Sequence, residues 1–281
     1  MSVCAITGAT GYIGSALSSR FRTDGWRVIS MTRRPEHIDG ESVPFVLGEP
    51  VEPTVFEGVD LLIHCAWDFS PRRWPEIRRI DIEGTRRLLL AARAAEVKCV
   101  MLISTMSAFP RCISLYGKAK LECERIADEC GAVIVRPGLV YGEPNGGLFG
   151  AIEAMVRQLP IVPVIGGGRQ MLFTCNVQDL GALVAEIAES GPAPGGPIMA
   201  AHPDPWTMRT LVAAISRGHG SRRLIFQIPW QAPWLFLRSL ETLGFDGAFR
   251  SDSVLGLVRP NPDPDFSTLA PFSTRFRPYA P

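Results

Sequence analysis

Over its first 200 residues the chain alternates short apolar runs with longer stretches in which apolar residues recur every three or four positions. The short runs, at 3–6, 27–31, 43–47, 60–65, 98–104 and 132–136, read as strands. The longer ones, at 12–22, 76–95, 115–130, 148–158 and 178–190, read as amphipathic helices. Leu61-Leu62-Ile63 and Val100-Met101-Leu102-Ile103 are continuous rather than alternating, as in a parallel strand covered on both faces. Strands and helices in alternation predict right-handed βαβ units and an α/β fold built on a doubly wound parallel sheet. After residue 200 Trp206, Trp230, Trp234 and Phe236 appear among several prolines, and helices are predicted near 206–216, 230–243 and 251–258.

Composition narrows the class. Of 281 residues, 46% are hydrophobic and 20% charged, which excludes a disordered chain. A formal charge of +1 gives no electrostatic reason to expect nucleic acid or an anionic membrane as partner. No apolar run approaches the roughly 18–20 residues of a bilayer span. Met1 leads directly into strand-like Val3-Cys4-Ala5-Ile6, which predicts no signal peptide. The seven cysteines (4, 65, 99, 112, 123, 130, 175) form no CxxC pair, and the four histidines (37, 64, 202, 219) have no ligand spacing. A cytoplasmic protein without a metal is expected. The apolar 229–243 segment lacks a basic cluster, so it is expected to cover a pocket rather than lie on a membrane.

The first strand runs into Thr7-Gly8-Ala9-Thr10-Gly11-Tyr12-Ile13-Gly14, with a helix after it. Glycines at 8, 11 and 14 permit a tight turn, backbone approach of a pyrophosphate to a helix N-terminus, and close packing of helix on strand. Strand, glycine turn and helix in this order form the fingerprint of a Rossmann-type dinucleotide-binding fold. The expected organisation is a Rossmann domain over 1–165 and a region over 166–259 that completes the sheet and forms a small substrate-binding lobe. The Pro-rich tail over 260–281 should be extended along a surface or partly disordered. The second strand ends in Thr32-Arg33-Arg34, where an NAD enzyme usually places a carboxylate. Guanidinium groups there suit a 2′-phosphate, so NADP is predicted, with NAD as the alternative.

Tyr116-Gly117-Lys118-Ala119-Lys120 opens a helix with a phenol and an ammonium one turn apart. Bringing a phenol from a pKa of ~10 to ~7 takes about 4 kcal/mol, which one ammonium at ~4 Å can supply at an effective dielectric near 20. Such a pair can exchange a proton with a carbonyl or alcohol oxygen while hydride moves at carbon. The strand before it ends in Ser104-Thr105-Met106-Ser107, at the carboxyl edge where such sheets bind ligands.

These residues resemble the short-chain dehydrogenase/reductase superfamily, and most closely its extended branch, the NAD-dependent epimerase/dehydratase family. The likeness continues through His64-Cys65-Ala66, Ile82-Glu83-Gly84-Thr85, Leu121-Glu122, Val135-Arg136-Pro137-Gly138-Leu139-Val140-Tyr141-Gly142 and Val177-Gln178-Asp179-Leu180, and so spans about residues 3–190. It implies Tyr116 as acid/base, Lys120 on the nicotinamide ribose and Thr105 as the third hydroxyl, with Ser107 the second choice. The cofactor would then lie against Gly8, Thr10, Gly11, Tyr12, Ile13, Gly14, Arg33, Arg34, Glu49, Cys65, Ala66, Pro137, Leu139 and Val140.

Some positions depart from that pattern. Phe109-Pro110 replaces a usual Tyr-Gly, Asp81 stands where the helix often has Asn, and Thr105 and Tyr116 are closer in sequence than usual. Met106-Ser107 lacks the Asp-Glu pair of sugar-nucleotide dehydratases. The resemblance implies a small-molecule substrate, a nucleotide sugar or another carbonyl metabolite, and a homodimer is open. Arg169, after Gly166-Gly167-Gly168, is a candidate substrate contact. The leading expectation is an NADP(H)-dependent carbonyl reductase. A nucleotide-sugar epimerase with tightly bound NAD and a non-catalytic redox-sensing or assembly protein are the alternatives.

Overall fold

The computed structural model describes residues 1–37, 40–191, 196–220, 222–244 and 250–281. The predicted strands form as β1 (Val3–Thr7), β2 (Arg27–Thr32), β3 (Ser42–Pro44), β4 (Leu61–His64), β5 (Cys99–Ile103) and β6 (Val133–Pro137). Shorter strands follow: β7 (Leu139–Tyr141), β8 (Ile161–Ile165), β9 (Met171–Leu172), β10 (Thr174–Asn176), β11 (Ile198–Ala200), β12 (Trp206–Thr207) and β13 (Leu224–Ile228). The helices are α1 (Tyr12–Thr23), α2 (Trp74–Ile77), α3 (Glu83–Ala94), α4 (Leu115–Glu129), α5 (Gly147–Gln158), α6 (Val177–Ser190), α7 (Met208–Gly218), α8 (Gln231–Thr242) and α9 (Ser251–Val258).

Seven parallel strands make the main sheet, in the order β11-β6-β5-β4-β1-β2-β3. Every residue of β4 is buried, as its unbroken apolar run requires when helices cover both faces. Leu17 and Phe21 of α1 pack with Leu180, Leu183 and Ile187 of α6 on one face. On the other face, Leu88 and Leu89 of α3 and Ala119, Cys123 and Ile126 of α4 fill the core. The connection reverses direction between β1 and β4. Register there sets Thr7 beside His64, and His64 beside Leu102, in one row at the carboxyl edge. A crevice opens outside strand ends at such a reversal.

The lobe is built around Phe149 and Ile152 of α5, Val162 and Val164 of β8, and Leu211 and Ile215 of α7. β8 pairs with β13, β9 with β12 and β10 with β7. The lobe therefore takes in chain from residue 139 on, ahead of the expected boundary at 165. The tail is laid along the protein. It buries Phe272 and Phe276 beside α6, and Tyr279 meets Tyr141 edge-on with ring centroids 5.2 Å apart. The Glu186 carboxylate accepts from the Ser273 and Thr274 amides, and Arg277 donates to Asp179 at 2.5 Å.

Candidate active site

The glycine turn is built to admit a phosphate. A Cβ on Gly14 would lie 2.2 Å from the Gly8 carbonyl oxygen, and one on Gly8, at φ +66°, would lie 2.9 Å from Ala66. α1 starts from Gly11 with no side-chain cap and no acidic residue in its first turn, while Arg20 and Arg22 stand in its last. Its first amides and the positive end of its dipole are thus left for an anion. The side chain of Tyr12 turns toward the lobe. Its hydroxyl donates to the Gly142 carbonyl at 2.7 Å and its ring lies under Gly146, so only its backbone belongs to the turn. Ile13 packs on the sheet core.

Thr10 faces Thr32, their hydroxyls 3.5 Å apart, at the end of β2. Arg33 and Arg34 follow it, exposed and without side-chain partners among the described residues. Glu49 is exposed beyond Gly48, which packs against Ile80. Cys65 and Ala66 cross the mouth of the turn, and their amides both donate to Thr7 Oγ1, at 3.1 and 3.2 Å. Because Thr7 Oγ1 accepts from these two amides, its own proton goes to His64 Nδ1 at 2.7 Å. His64 Nε2–H then donates to Thr85 at 3.0 Å. Burial, with Lys120 nearby, pushes His64 down to about 3, so it is a neutral structural bridge. Pro137 is buried and its carbonyl receives the Met106 amide at 3.1 Å. Leu139 and Val140 sit in the small β7–β10 ribbon.

The two residues of the tyrosine–lysine pair both pack on Trp67. Ser114 caps α4 by accepting from the Gly117 amide at 3.1 Å. The Leu115 and Tyr116 amides donate to the two oxygens of Asp252, at 2.7 and 3.0 Å. The Tyr116 ring lies edge-on to Trp67, with centroids 5.3 Å apart, and stacks on Phe69 at 5.9 Å. Lys120 is 3% exposed; its Nζ donates to the Ile103 carbonyl at 3.1 Å and sits 4.4 Å from the centre of the Trp67 ring.

Of the nearby hydroxyls, Ser104 is committed to Glu124 Oε1 at 2.5 Å, inside the buried Glu124–Arg136 pair. Thr105 offers its hydrogen bond to the Tyr116 phenol. Ser107 stands behind it, donating its amide to Thr105 Oγ1 at 3.1 Å. The lowered phenol expected from sequence is not what this arrangement produces. Burial pushes Tyr116 up to about 12, with the Thr105 hydrogen bond only partly offsetting it, and the Lys120 ammonium is spent on Ile103 and Trp67. Burial also lowers the proton affinity of Lys120.

Asp81 lies in a π-helical turn, Arg78–Ile82, that leads into α3. It is fully buried; Oδ1 accepts from the Asp68 amide at 2.9 Å, while Oδ2 has no partner among the described residues. Burial pushes its carboxyl up to about 7, against the pull of the Asp68 amide, Lys120 and Arg250. Trp67 and Asp252 were not found from sequence. Trp67 follows Cys65-Ala66 directly and could have been read as an aromatic wall at a strand end. Asp252 lies 136 residues from Tyr116, and nothing local marks it. Arg169 stands apart from the crevice, on a cavity in the lobe. No metal-ligand cluster occurs among the described residues, and none of their helices is long and apolar enough to cross a membrane.

Residues 4–196 match the model of the NAD dependent epimerase/dehydratase family. The chain is 34% identical over 173 residues to a ceramide reductase of Caulobacter vibrioides, a match covering 58% of this chain and 54% of that protein. It therefore spans about half the length of that relative. It is 24% identical over 259 residues to the 4-hydroxy-2-methyl-3-oxo-4-farnesyl-3,4-dihydroquinoline-1-oxide ketoreductase of Stigmatella aurantiaca, covering 81% of this chain and 76% of that one. Among solved structures, a UDP-glucose 4-epimerase from Thermotoga maritima with UDP-glucose superposes with a TM-score of 0.68 at 20% identity, over 81% of this chain and 85% of that one. That likeness is one of fold.

The Asp81 carboxyl gives a pH test. Its proton affinity is raised in the fold, so the folded protein keeps a proton that the unfolded chain releases from about pH 4 upward. The stability this contributes is present at low pH and lost as pH rises toward 7. Asp81→Asn, neutral throughout, should raise Tm above that of the wild type at pH 8 and change it little at pH 4. Calorimetry at both values checks this, and an equal shift at the two would contradict it.

Proposed function

The chain belongs to the NAD-dependent epimerase/dehydratase family, and on that premise we propose that it is an NADP(H)-dependent oxidoreductase. It reduces a ketone or aldehyde on a small metabolite with an apolar body, or oxidises the matching alcohol. It is an enzyme of the short-chain dehydrogenase/reductase type. The observation that carries the reading is the convergence of Thr105, Tyr116 and Lys120 at the carboxyl edge of β5. Both relatives named above are reductases by name, which favours net reduction over epimerisation. One is named for a ceramide and the other for a farnesylated ring, which favours an apolar substrate body.

The bound dinucleotide supplies or accepts the hydride at the substrate carbon. Gly8, Gly11 and Gly14 admit its pyrophosphate to the α1 amides. Arg33 and Arg34 would pair with its 2′-phosphate, Glu49 would border the adenine side, and Cys65, Ala66, Pro137, Leu139 and Val140 would border the remainder. In the reducing direction Tyr116 gives its proton to the carbonyl oxygen as the carbon gains hydride, so C=O becomes CH–OH and the phenol becomes phenolate. Thr105 holds that oxygen beside the phenol and, by donating to it, stabilises the phenolate. Trp67 and Phe69 flank the phenol.

Tyr116→Phe should lower NADPH turnover with a panel of apolar ketones and aldehydes by about 10²–10⁴-fold, the usual contribution of a positioned acid. Its Kd for NADPH should stay within about twofold of wild type, because the phenol is not part of the phosphate cradle. Turnover that survives the substitution discards the acid/base role. For the cofactor, wild type should bind NADPH at least about tenfold more tightly than NADH, and Arg33→Ala with Arg34→Ala should abolish that preference. Equal Kd values for the two cofactors in the wild type would overturn the NADP assignment.

A further inference from the structure

A cavity of about 640 Å³ opens in the lobe beside the segment that joins Thr105 to Tyr116. Three guanidinium groups, from Arg111, Arg169 and Arg259, line it. They come from three separate parts of the chain: the Thr105–Tyr116 segment, the glycine turn after β8, and the end of α9. All three are exposed, and none has a side-chain hydrogen bond or ion pair among the described residues. No described carboxylate lines the cavity. Three residues of like charge are thus brought to one cavity from distant parts of the chain. A concave site lined by one sign of charge concentrates the opposite charge.

The rest of the wall is apolar: Phe109, Met171, Trp230, Val258 and Pro260. Such side chains cover hydrocarbon well, and only the Trp230 indole N–H among them can donate a hydrogen bond. The apolar surface also continues past the cavity. Trp234 meets Trp230 edge-on at 6.4 Å, and Leu235 and Phe236 on the same helix are 56% and 64% exposed. One unpaired acceptor also breaks the wall's apolar character. Gln170 donates from Nε2 to the Ile165 carbonyl at 2.7 Å, which leaves its buried Oε1 without a partner among the described residues. It is an acceptor suited to a ligand N–H or O–H.

We propose that this cavity binds an anionic amphiphile: the substrate carries a phosphate or similar anion held by Arg111, Arg169 and Arg259, with an apolar chain lying on Phe109, Trp230 and α8. The proposal rests on the reductase reading only for calling the ligand a substrate. Guanidinium groups take phosphate oxygens in paired, charge-assisted hydrogen bonds, and so fix the head group while the chain lies on the aromatic wall. Phe109 and Arg111 stand on the segment between Thr105 and Tyr116, so the wall of the cavity and the proposed redox centre share that segment. Asp252, on the same helix as Val258, holds the first turn of α4, so the wall of the cavity and the phenol share one support.

Isothermal titration of the full chain with three probes tests this: dodecyl phosphate below its micelle concentration, dodecyl maltoside as a neutral amphiphile, and UDP as a nucleoside diphosphate. Dodecyl phosphate should bind at least about tenfold more tightly than either of the others, and Arg169→Ala with Arg259→Ala should weaken it by about tenfold or more. Arg169→Lys with Arg259→Lys, which keeps the charge, should recover part of that loss and guards against a folding defect in the alanine variant. UDP binding equal to or tighter than dodecyl phosphate, equal binding of the maltoside, indifference to both alanine substitutions, or no binding of dodecyl phosphate would each overturn the proposal. The titration involves no turnover. Failure of carbonyl reduction leaves it standing, and its failure leaves the hydride chemistry standing.

Discussion

The site depends on how the first turn of α4 is held. A helix start leaves amides with no partner inside the helix, and here three consecutive ones find acceptors outside it. Leu115 and Tyr116 donate to the carboxylate of Asp252, and Gly117 donates to Ser114. A carboxylate at this end also meets the positive pole of the helix. The direction of α4 is thereby fixed at the residue that carries the phenol, and Lys120 follows one turn later on the same face. Since Asp252 comes from α9, the lobe that would hold a substrate also aligns the group that would give it a proton. Lobe and sheet are further tied together by the tail, through Arg277 on Asp179 and Tyr279 on Tyr141.

Around that phenol the crevice resists charge. Burial raises Tyr116 to about 12 and Asp81 to about 7, and lowers His64 to about 3. His64 is therefore neutral, and its two hydrogen bonds to Thr7 and Thr85 fasten β4 to β1 and α3. Lys120 stays in place because the Ile103 carbonyl and the face of Trp67 replace water around its ammonium. Such surroundings make the phenol sensitive to any positive charge set beside it, since Coulomb energies grow as the effective dielectric falls.

Much of this could be read from the chain. Unbroken apolar runs such as Leu61-Leu62-Ile63 announced the parallel sheet, and the glycines at 8, 11 and 14 announced the phosphate turn, because both signals are local. The tyrosine–lysine pair was legible for the same reason. What escaped was non-local. β9 and β12 are two residues each and exist through pairing with one another, so no periodicity marks them. Asp252 acts across 136 residues. The lysine's partners were misread because sequence spacing shows that two side chains share a face but not which carbonyl or ring lies closer. Trp67, beside the crevice, took the ammonium that sequence alone had assigned to the phenol.

The central claim is that the Tyr116 phenol, neutral by default, yields its proton when positive charge arrives next to it. The chain has four tyrosines, so labelling them with ¹³C at Cζ and following the shift against pH isolates each, with Tyr116→Phe assigning the signal. Without cofactor, Tyr116 should titrate at about 12. With saturating NADP⁺ it should fall by about two units or more, the effect of one added charge at ~4–5 Å in a site of effective dielectric near 20. A Tyr116 signal that titrates at the same pH with and without NADP⁺ would contradict the account.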